Sequence, residues 1–245
     1  MKIDKSAKLI YGPRTPGAVI NGVTLDTTDG VAHSGHGFAC VGFEALWNII
    51  MKKEQTIGDL SAVVTGMLLA FNVPAGFPVW MLIIGDLIAI VIVKQLFGGM
   101  GYNFANPAMT ARVVLMVSFP TQMTTFVEPF TGAVTSATPL ADSAATDPGF
   151  LRLFIGDYAG CLGETSAMLL ILGGVYLVLR RVISPIIPLS FVGSAFLMSY
   201  IFNGSLIDSA HLILSGGLLL GAIFMATDYV TSPTRPLGKL IFGIG

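Results

Sequence analysis

Apolar residues are grouped in long blocks along the chain, separated by short polar stretches. The apolar runs occupy residues 38–50, 60–73, 77–97, 107–120, 165–179, 183–202 and 210–227. Continuous runs of this length predict helices, and several are shorter than the roughly 20 residues that a straight transmembrane helix needs. Short segments interrupted by glycine and proline indicate broken helices that line a site or a pathway in a membrane. The pattern predicts an all-α polytopic membrane protein.

Two of the runs resemble each other. Residues 63–72, VVTGMLLAFN, and residues 212–224, LILSGGLLLGAIF, share a small hydroxyl residue, glycine and a run of leucines. Counted along the chain, the first run crosses outward and the second inward, which is the arrangement of inverted-topology repeats. We therefore expect two inverted repeats with broken helices.

Composition agrees with a membrane location. The chain is 53% hydrophobic and 11% charged, whereas soluble domains carry about 25% charged residues. The net charge of −1 leaves no basic surface for a nucleic acid. Cys40 and Cys161 lie in separate segments without a CxxC motif, so we expect neither a metal site nor an iron–sulfur cluster from this chain alone.

The two ends of the chain differ from its middle. Residues 1–37 contain no apolar run, and they lack the apolar region of a signal peptide. The first apolar run is too short for a full span, and the last one begins only just before residue 245. We expect an atypical N-terminal segment over 1–37, a transmembrane domain over 38–245, and a chain that is incomplete at both ends.

Basic residues predict the orientation of the segments, because they concentrate on the cytoplasmic side. If each apolar run after residue 59 crosses once, all of the basic clusters fall on one side; they comprise Lys52, Lys53, Lys94, Arg180, Arg181, Arg235 and Lys239. The loop 121–162 then lies on the extracytoplasmic face, and it is acidic, with four carboxylates against Arg152.

The stretch GGMGYNFANPAMTARV, residues 98–113, is a glycine turn followed by a helix start. It does not satisfy the dinucleotide motif GxGxxG and has no βαβ context. Asn106 is a good N-cap and Pro107 a good first helical residue. Such a helix start either faces an anion with its free N–H groups or caps a tight helix contact. Water channels also use NPA, but they need two such half-helices.

Ionisable residues inside apolar segments are costly in lipid and face protein or water. Asp86 lies in the middle of its segment and is the best candidate for an ion or proton site. Arg112, early in the helix after Asn106, is a candidate to hold a phosphate or pair with a carboxylate. Lys94, Glu164 and Asp228 lie near segment ends, so we expect them to reach the lipid headgroups.

The loop GAVTSATPLAD, residues 132–142, concentrates hydroxyl groups at Thr135, Ser136 and Thr138. A Ser/Thr cluster beside proline is usually a turn in which hydroxyls bond to nearby backbone. Small neighbours and the extended backbone that Pro139 favours would instead present Thr138 outward. No cysteine or histidine is present in the loop to activate a nucleophile, so a modification of this hydroxyl requires a separate enzyme.

Four separated motifs resemble the NqrB/RnfD family, which contains the RnfD component of Rnf electron-transport complexes and the NqrB component of the sodium-pumping quinone reductase. They are GGMGYNFANPAMTARV, AVTSATPLA, GCLGETSAMLLILGGVYLVLRRVI and GAIFMATDYVTSPTRPLGKLIFG. The resemblance runs from about residue 40 to the end of the chain and implies a fold of inverted repeats similar to that of urea transporters.

The resemblance also implies a covalent cofactor. Family members carry FMN joined through its phosphate to a threonine, and the matching residue is Thr138, within the motif formed by Ser136, Ala137 and Pro139. A dedicated flavin transferase makes this bond, so the chain would be both a flavoprotein and a phosphoprotein. The family often has an aspartate where this chain has Gly132, a departure that bears on recruitment of the transferase.

The implied function is that of a non-catalytic membrane subunit in an ion-translocating oxidoreductase. Electrons would pass through FMN during ferredoxin:NAD⁺ oxidoreduction coupled to export of Na⁺ or H⁺ across the inner membrane. The partners would be Rnf subunits A, B, C, E and G. The alternatives are the NqrB component of the quinone reductase and a channel or secondary transporter without a redox role.

Overall fold

The computed structural model describes residues 36–127, 134–135, 149–156, 158–161, 163–164 and 166–245. These residues belong to two compact units, of which the first ends at Ser136 and the second begins at Ala137. Each unit is described by itself.

The first unit is built from helices that follow the predicted apolar runs. They are α1 (His36–Ile50), a 3₁₀ turn (Ile57–Asp59), α2 (Ser61–Phe71), α3 (Val79–Leu87), a first π-helix (Ile88–Gln95), α4 (Pro107–Ser118) and α5 (Pro120–Met123). The first π-helix continues α3 without interruption, so the predicted run 77–97 is one helix with two hydrogen-bonding patterns.

The breaks in the first unit lie where the sequence carries glycine and proline. Two prolines and a glycine occupy residues 73–78, between α2 and α3. The glycine turn before α4 is confirmed, because Gly98, Gly99 and Gly101 all have positive φ angles, which glycine adopts without a steric penalty. The chain therefore changes direction at positions that its composition predicts.

Packing in the first unit centres on α1, which contacts α2, α3 and the first π-helix. Cys40, Ala62 and Ile90 are fully buried where these helices meet. Helix α3 also approaches α4 closely at Gly85, where an added Cβ atom would lie 2.7 Å from Cδ1 of Leu115. Small residues of this kind allow close helix contacts in membrane proteins.

A short strand pair completes the described part of the first unit. Strand β1 (Phe126–Val127) pairs antiparallel with β2 (Val134–Thr135), so that Phe126 is opposite Thr135 and Val127 is opposite Val134. The two strands bring together the chain on either side of residues 128–133.

The second unit contains a long helix and a broken one. Its helices are α6 (Phe150–Ile155), α7 (Ala167–Leu179), α8 (Ile186–Asn203), α9 (Leu206–Leu214), α10 (Leu218–Leu220), a second π-helix (Gly221–Met225) that continues α10, and α11 (Pro236–Ile244). Helix α8 packs against α9 and α11.

The apolar run 210–227 is not one continuous helix. The chain bends by 68° between Leu206–Leu214 and Leu218–Met225. The bend falls at residues 215–217, where Ser215 has an extended backbone and Gly216 a positive φ of 73°. Ala167, Ile213 and Leu219 form a buried cluster around this break. Glycine at the bend explains why the helix is interrupted there.

Helix length places one described segment in the range of a membrane span. Ile186–Asn203 has 18 residues, and its mean hydropathy is high enough for a membrane-spanning helix. The bent pair Leu206–Leu214 and Leu218–Met225 would make a second span if the two helices cross the membrane together. The other apolar helices that the structure describes in this class are shorter, with between 10 and 17 residues. Short, interrupted helices confirm the broken-helix character that the sequence predicts.

Candidate functional site

Helix α1 presents a row of buried polar side chains inside the first unit. Cys40, Glu44 and Asn48 are spaced four residues apart, and each is at most 2% exposed. Residues at this spacing lie on one face of an α-helix. The face that α1 turns toward its neighbours is therefore polar along its length, although most of the helix is apolar.

Glu44 is the centre of this face. Its Oε1 atom accepts hydrogen bonds from Lys94 Nζ at 3.1 Å, from Gln95 Nε2 at 2.8 Å and from Thr56 Oγ1 at 2.8 Å. Glu44 is 1% exposed and Lys94 is 3% exposed. A buried charge of either sign is tolerated when it is paired and hydrogen-bonded in this way.

The first π-helix supplies two of these donors. Lys94 and Gln95 are its last two residues. Segments of π-helix are rare and frequent at functional sites. The π-helix thus carries the positive charge that compensates Glu44 on α1.

Further hydrogen bonds connect Glu44 to the 3₁₀ turn and to the start of α2. Lys94 Nζ donates to Ser61 Oγ at 2.6 Å, and Ser61 Oγ donates to Asp59 Oδ1 at 2.5 Å. On the other side, Asn48 Nδ2 donates to Thr56 Oγ1 at 3.1 Å. We refer to these connected side chains as the Glu44 network; they are Glu44, Asn48, Thr56, Asp59, Ser61, Lys94 and Gln95.

Asp86 lies next to this network, at the end of α3 and just before the first π-helix. It is 0% exposed, and Cys40 Sγ donates to its Oδ1 atom at 3.3 Å. The expectation that Asp86 faces protein rather than lipid is confirmed. Asp86 on α3 therefore contacts α1 at Cys40, one helical turn before Glu44.

Arg112 contacts the break between α2 and α3. Its Nη1 atom donates to Asn72 Oδ1 at 2.9 Å, while Asn72 Nδ2 donates to the carbonyl of Leu68 at 2.7 Å. This partner is a side-chain amide, and the prediction that Arg112 holds a phosphate or pairs with a carboxylate stays a prediction. Arg112 therefore fixes α4 to the interrupted backbone after α2.

The helix start that the sequence predicts before Arg112 is confirmed. Asn106 is the N-cap of α4, its side chain accepts from the Met109 backbone N–H at 3.2 Å, and Pro107 is the first helical residue. The cap occupies one of the four N–H groups that a helix start leaves without partners.

The expectation that Lys94 and Glu164 reach the lipid headgroups was wrong. Lys94 is buried in the Glu44 network, and Glu164 is only 6% exposed. Position near the end of an apolar run did not decide their environment. Lys94 pairs with the buried Glu44, and the carbonyl of Glu164 accepts from the buried Tyr158 hydroxyl. Asp228 is half-buried, and its carboxylate oxygens lie 3.4 Å from the Val230 N–H and the Thr231 hydroxyl, which is a turn contact.

Glu44 is the residue that the sequence analysis missed. It stands alone in the short run 38–50, which drew attention for its length rather than for its charge. The available signal was its spacing, since Cys40, Glu44 and Asn48 recur every fourth residue within an apolar helix.

The residues predicted to carry flavin, Ser136, Ala137, Thr138 and Pro139, lie outside the described residues. The nearest described position is Thr135, at the end of β2. The sequence prediction for these four residues therefore stays a prediction.

Comparison with known proteins identifies the family. The model of the NQR2, RnfD, RnfE family matches residues 30–245. The chain belongs to this family. It is 45% identical over 212 residues to the D subunit of the Na⁺-translocating ferredoxin:NAD⁺ oxidoreductase complex of Acetobacterium woodii, a match that covers 84% of the chain. The family and the helical structure both indicate an integral membrane protein.

Two further relatives carry related names. The D subunit of the proton-translocating ferredoxin:NAD⁺ oxidoreductase complex of Clostridium ljungdahlii is 39% identical over 215 residues, or 80% of the chain. The D subunit of the ion-translocating oxidoreductase complex of Rhodobacter capsulatus is 40% identical over 226 residues, or 76% of the chain. The matches span 66%, 65% and 63% of the lengths of these three relatives.

Proposed function

We propose that this chain is the RnfD membrane component of an Rnf-type complex, and that it takes part in ferredoxin:NAD⁺ oxidoreduction coupled to translocation of Na⁺ or H⁺. The observation that carries the proposal is the similarity to the D subunit of A. woodii, at 45% identity over 212 residues. The partners are the other subunits A, B, C, E and G, and the location is the inner membrane. Two relatives are named for different ions, so the similarity favours neither.

The fold of the proposed subunit consists of two inverted repeats, similar to a urea transporter. The order of elements within each unit supports the repeat. The first unit has α2, a break, α3 with its π-helix, a loop and then α4, which begins at Pro107. The second unit has α9, a break, α10 with its π-helix, a loop and then α11, which begins at Pro236.

The proposed cofactor is FMN, joined by a phosphoester to Thr138 in the extracytoplasmic loop 121–162. The chemistry of the loop fits this group, because a threonine oxygen forms a phosphoester and a flavin transferase supplies the base that the loop lacks. The bound flavin would supply one-electron chemistry, while the protein holds it in place. Strands β1 and β2 support the assignment by anchoring the chain up to Thr135, three residues before Thr138.

Flavin fluorescence on a denaturing gel tests the covalent bond. The chain is produced together with the flavin transferase in three variants, Thr138→Val, Ser136→Ala and Thr135→Val. We expect the fluorescent band to disappear only in Thr138→Val, because only that change removes the acceptor oxygen. A band that persists in Thr138→Val, or a wild-type chain without fluorescence, would refute the assignment.

Activity of the assembled complex tests the wider proposal. Membranes that contain the complex should reduce NAD⁺ with reduced ferredoxin, and this rate should fall when Thr138→Val replaces the wild-type subunit. Equal rates in the two membranes would show that electrons do not pass through this subunit.

A further inference from the structure

Three aromatic residues recur every fourth position in α6 and the chain that follows it. They are Phe150, Phe154 and Tyr158. All three belong to the C-terminal part of the loop 121–162, and we call the described residues of this part, 149–156 and 158–161, the aromatic arm. The arm lies along the bent helix pair of the second unit, and each aromatic side chain contacts a different part of it.

Phe150 and Phe154 pack next to the break in the bent pair. The ring centroid of Phe150 lies 6.0 Å from that of His211, which is in the last turn of α9. Phe154 packs against the buried cluster around the break, which consists of Ala167, Ile213 and Leu219. Helix α6 as a whole contacts both α7 and α9. The arm is therefore supported by the helix that ends at the break.

Tyr158 reaches the break itself. It is 5% exposed, and its hydroxyl donates to the carbonyl of Glu164 at 2.6 Å. The backbone N–H of Gly216 donates to the oxygen of the same hydroxyl. Gly216 has a φ angle of 73° and lies between the two halves of the bent pair. One buried hydroxyl thus connects the arm to the backbone that leaves the helix.

The backbone hydrogen bonds at the break show what this connection holds. Helix α9 ends where the N–H and the hydroxyl of Ser215 both donate to the carbonyl of His211. The next N–H group along the chain, that of Gly216, has the Tyr158 oxygen as its acceptor. A helix break leaves backbone groups that need partners within a membrane protein. The aromatic arm supplies one of them, so the geometry of the bend depends on the position of the arm.

The loop that ends in the aromatic arm is acidic, with four carboxylates against Arg152. An electron added to a group on this loop brings further negative charge to an acidic segment, and like charges repel. A shift of the loop then changes the support of the Gly216 amide. We propose that Phe150, Phe154 and Tyr158 are positioning residues that transmit the charge state of the loop to the bend in the second unit.

The bend is a meaningful target for such a signal. Interrupted helices in transport proteins form the sites at which substrates and coupling ions bind. The inference rests on the proposed flavin at Thr138, and it deepens the proposed function by naming residues that connect the flavin loop to an interrupted helix. Coupling of this kind is reciprocal, so the state of the loop can be measured at the break.

Hydrogen–deuterium exchange in the intact complex tests the connection without measuring electron transfer. Exchange is followed by mass spectrometry in peptides that contain Gly216, with the complex as isolated and after reduction by dithionite. In wild type we expect the exchange rates of the two states to differ by about fivefold or more, the lower end of typical coupling between sites. Thr138→Val should abolish this difference, because it removes the proposed flavin from the loop.

Two variants interrupt the aromatic arm. Tyr158→Phe removes the acceptor of the Gly216 N–H, so it should raise exchange at Gly216 about two- to tenfold in both states and abolish the redox difference. Phe150→Leu removes the ring contact with His211 at an exposed position, so it leaves the buried contacts intact and should also abolish the difference.

Two control variants keep the connection. Phe150→Tyr retains the aromatic ring, and Tyr176→Phe removes a hydroxyl from an exposed tyrosine elsewhere in the second unit. Both should retain the redox difference of wild type.

Equal exchange in the two states of wild type would overturn the proposal. A redox difference that persists in Tyr158→Phe, in Phe150→Leu or in Thr138→Val would also overturn it. The denaturing gel judges the proposed flavin separately. A fluorescent wild-type chain without a redox difference refutes this inference alone, whereas a chain without fluorescence refutes the covalent flavin and the inference with it.

Discussion

Removing Lys94 should destabilise the first unit strongly, because it leaves Glu44 charged and buried. The two side chains are 4% and 1% exposed, and Nζ lies 3.1 Å from Oε1. Breaking a buried pair by removing one partner costs about 3–5 kcal/mol. Gln95 and Thr56 still donate to Oε1 after the change, so we expect Lys94→Met to lower the free energy of unfolding by about 3 kcal/mol, the lower end of that range.

A double-mutant cycle separates the charge effect from lost packing. In the double variant Glu44→Gln/Lys94→Met no buried charge of the pair remains, and the amide oxygen at position 44 can still accept from Gln95 and Thr56. Its stability should therefore recover to near the wild-type value. Lys53→Met is the control, since Lys53 is exposed and surface substitutions usually change stability by less than about 0.5 kcal/mol. The measurement is urea unfolding in detergent micelles, followed by tryptophan fluorescence.

Two outcomes would contradict this account of the pair. If Lys94→Met unfolds at the same urea concentration as Lys53→Met, Glu44 does not depend on the ammonium for its charge balance. If the double variant is no more stable than Lys94→Met, the loss comes from packing of the lysine stem rather than from the stranded carboxylate.

Two more substitutions test packing and hydrogen bonding elsewhere. Gly85→Val should destabilise the first unit by about 1–3 kcal/mol in the same urea assay, because its Cβ would overlap Leu115, and a Gly42→Val control should have less effect because no atom lies near that position. Tyr158→Phe should cost about 1–3 kcal/mol at neutral pH, because the Tyr158 hydroxyl donates to the buried Glu164 carbonyl at 2.6 Å. Burial raises the pKa of Tyr158, so the difference from wild type should shrink as the pH rises above about 10, the ordinary tyrosine value; a difference that is constant with pH would contradict the buried phenol.

The positions of the helices could be predicted because apolar periodicity and helix capping act locally. Asn106 and Pro107 start α4 where the sequence places them, and the apolar runs end within a few residues of the observed helices. The bend at residues 215–217 shows the limit of the approach. Hydropathy is high on both sides of the two glycines in the run 210–227, so hydropathy alone predicts one continuous helix. The backbone of Ser215 and Gly216 nevertheless departs from helical geometry.

The candidate site could be predicted only in part, because its central contacts join residues far apart in the chain. Asp86 is recognisable as a charge in the middle of an apolar run. The pairing of Glu44 with Lys94 spans 50 residues, and no local pattern specifies it. Lys94 alone has a simpler interpretation as a headgroup contact, and only its separation of 3.1 Å from Glu44 in the fold excludes that interpretation.

The burial of Lys94 also changes the argument for orientation. The positive-inside rule concerns basic residues in loops near the membrane surface, so a lysine enclosed by Glu44 and Ser61 does not belong in it. The other basic clusters do, since Lys52, Lys53, Arg180, Arg181 and Arg235 are all exposed. The predicted orientation keeps its basis without Lys94.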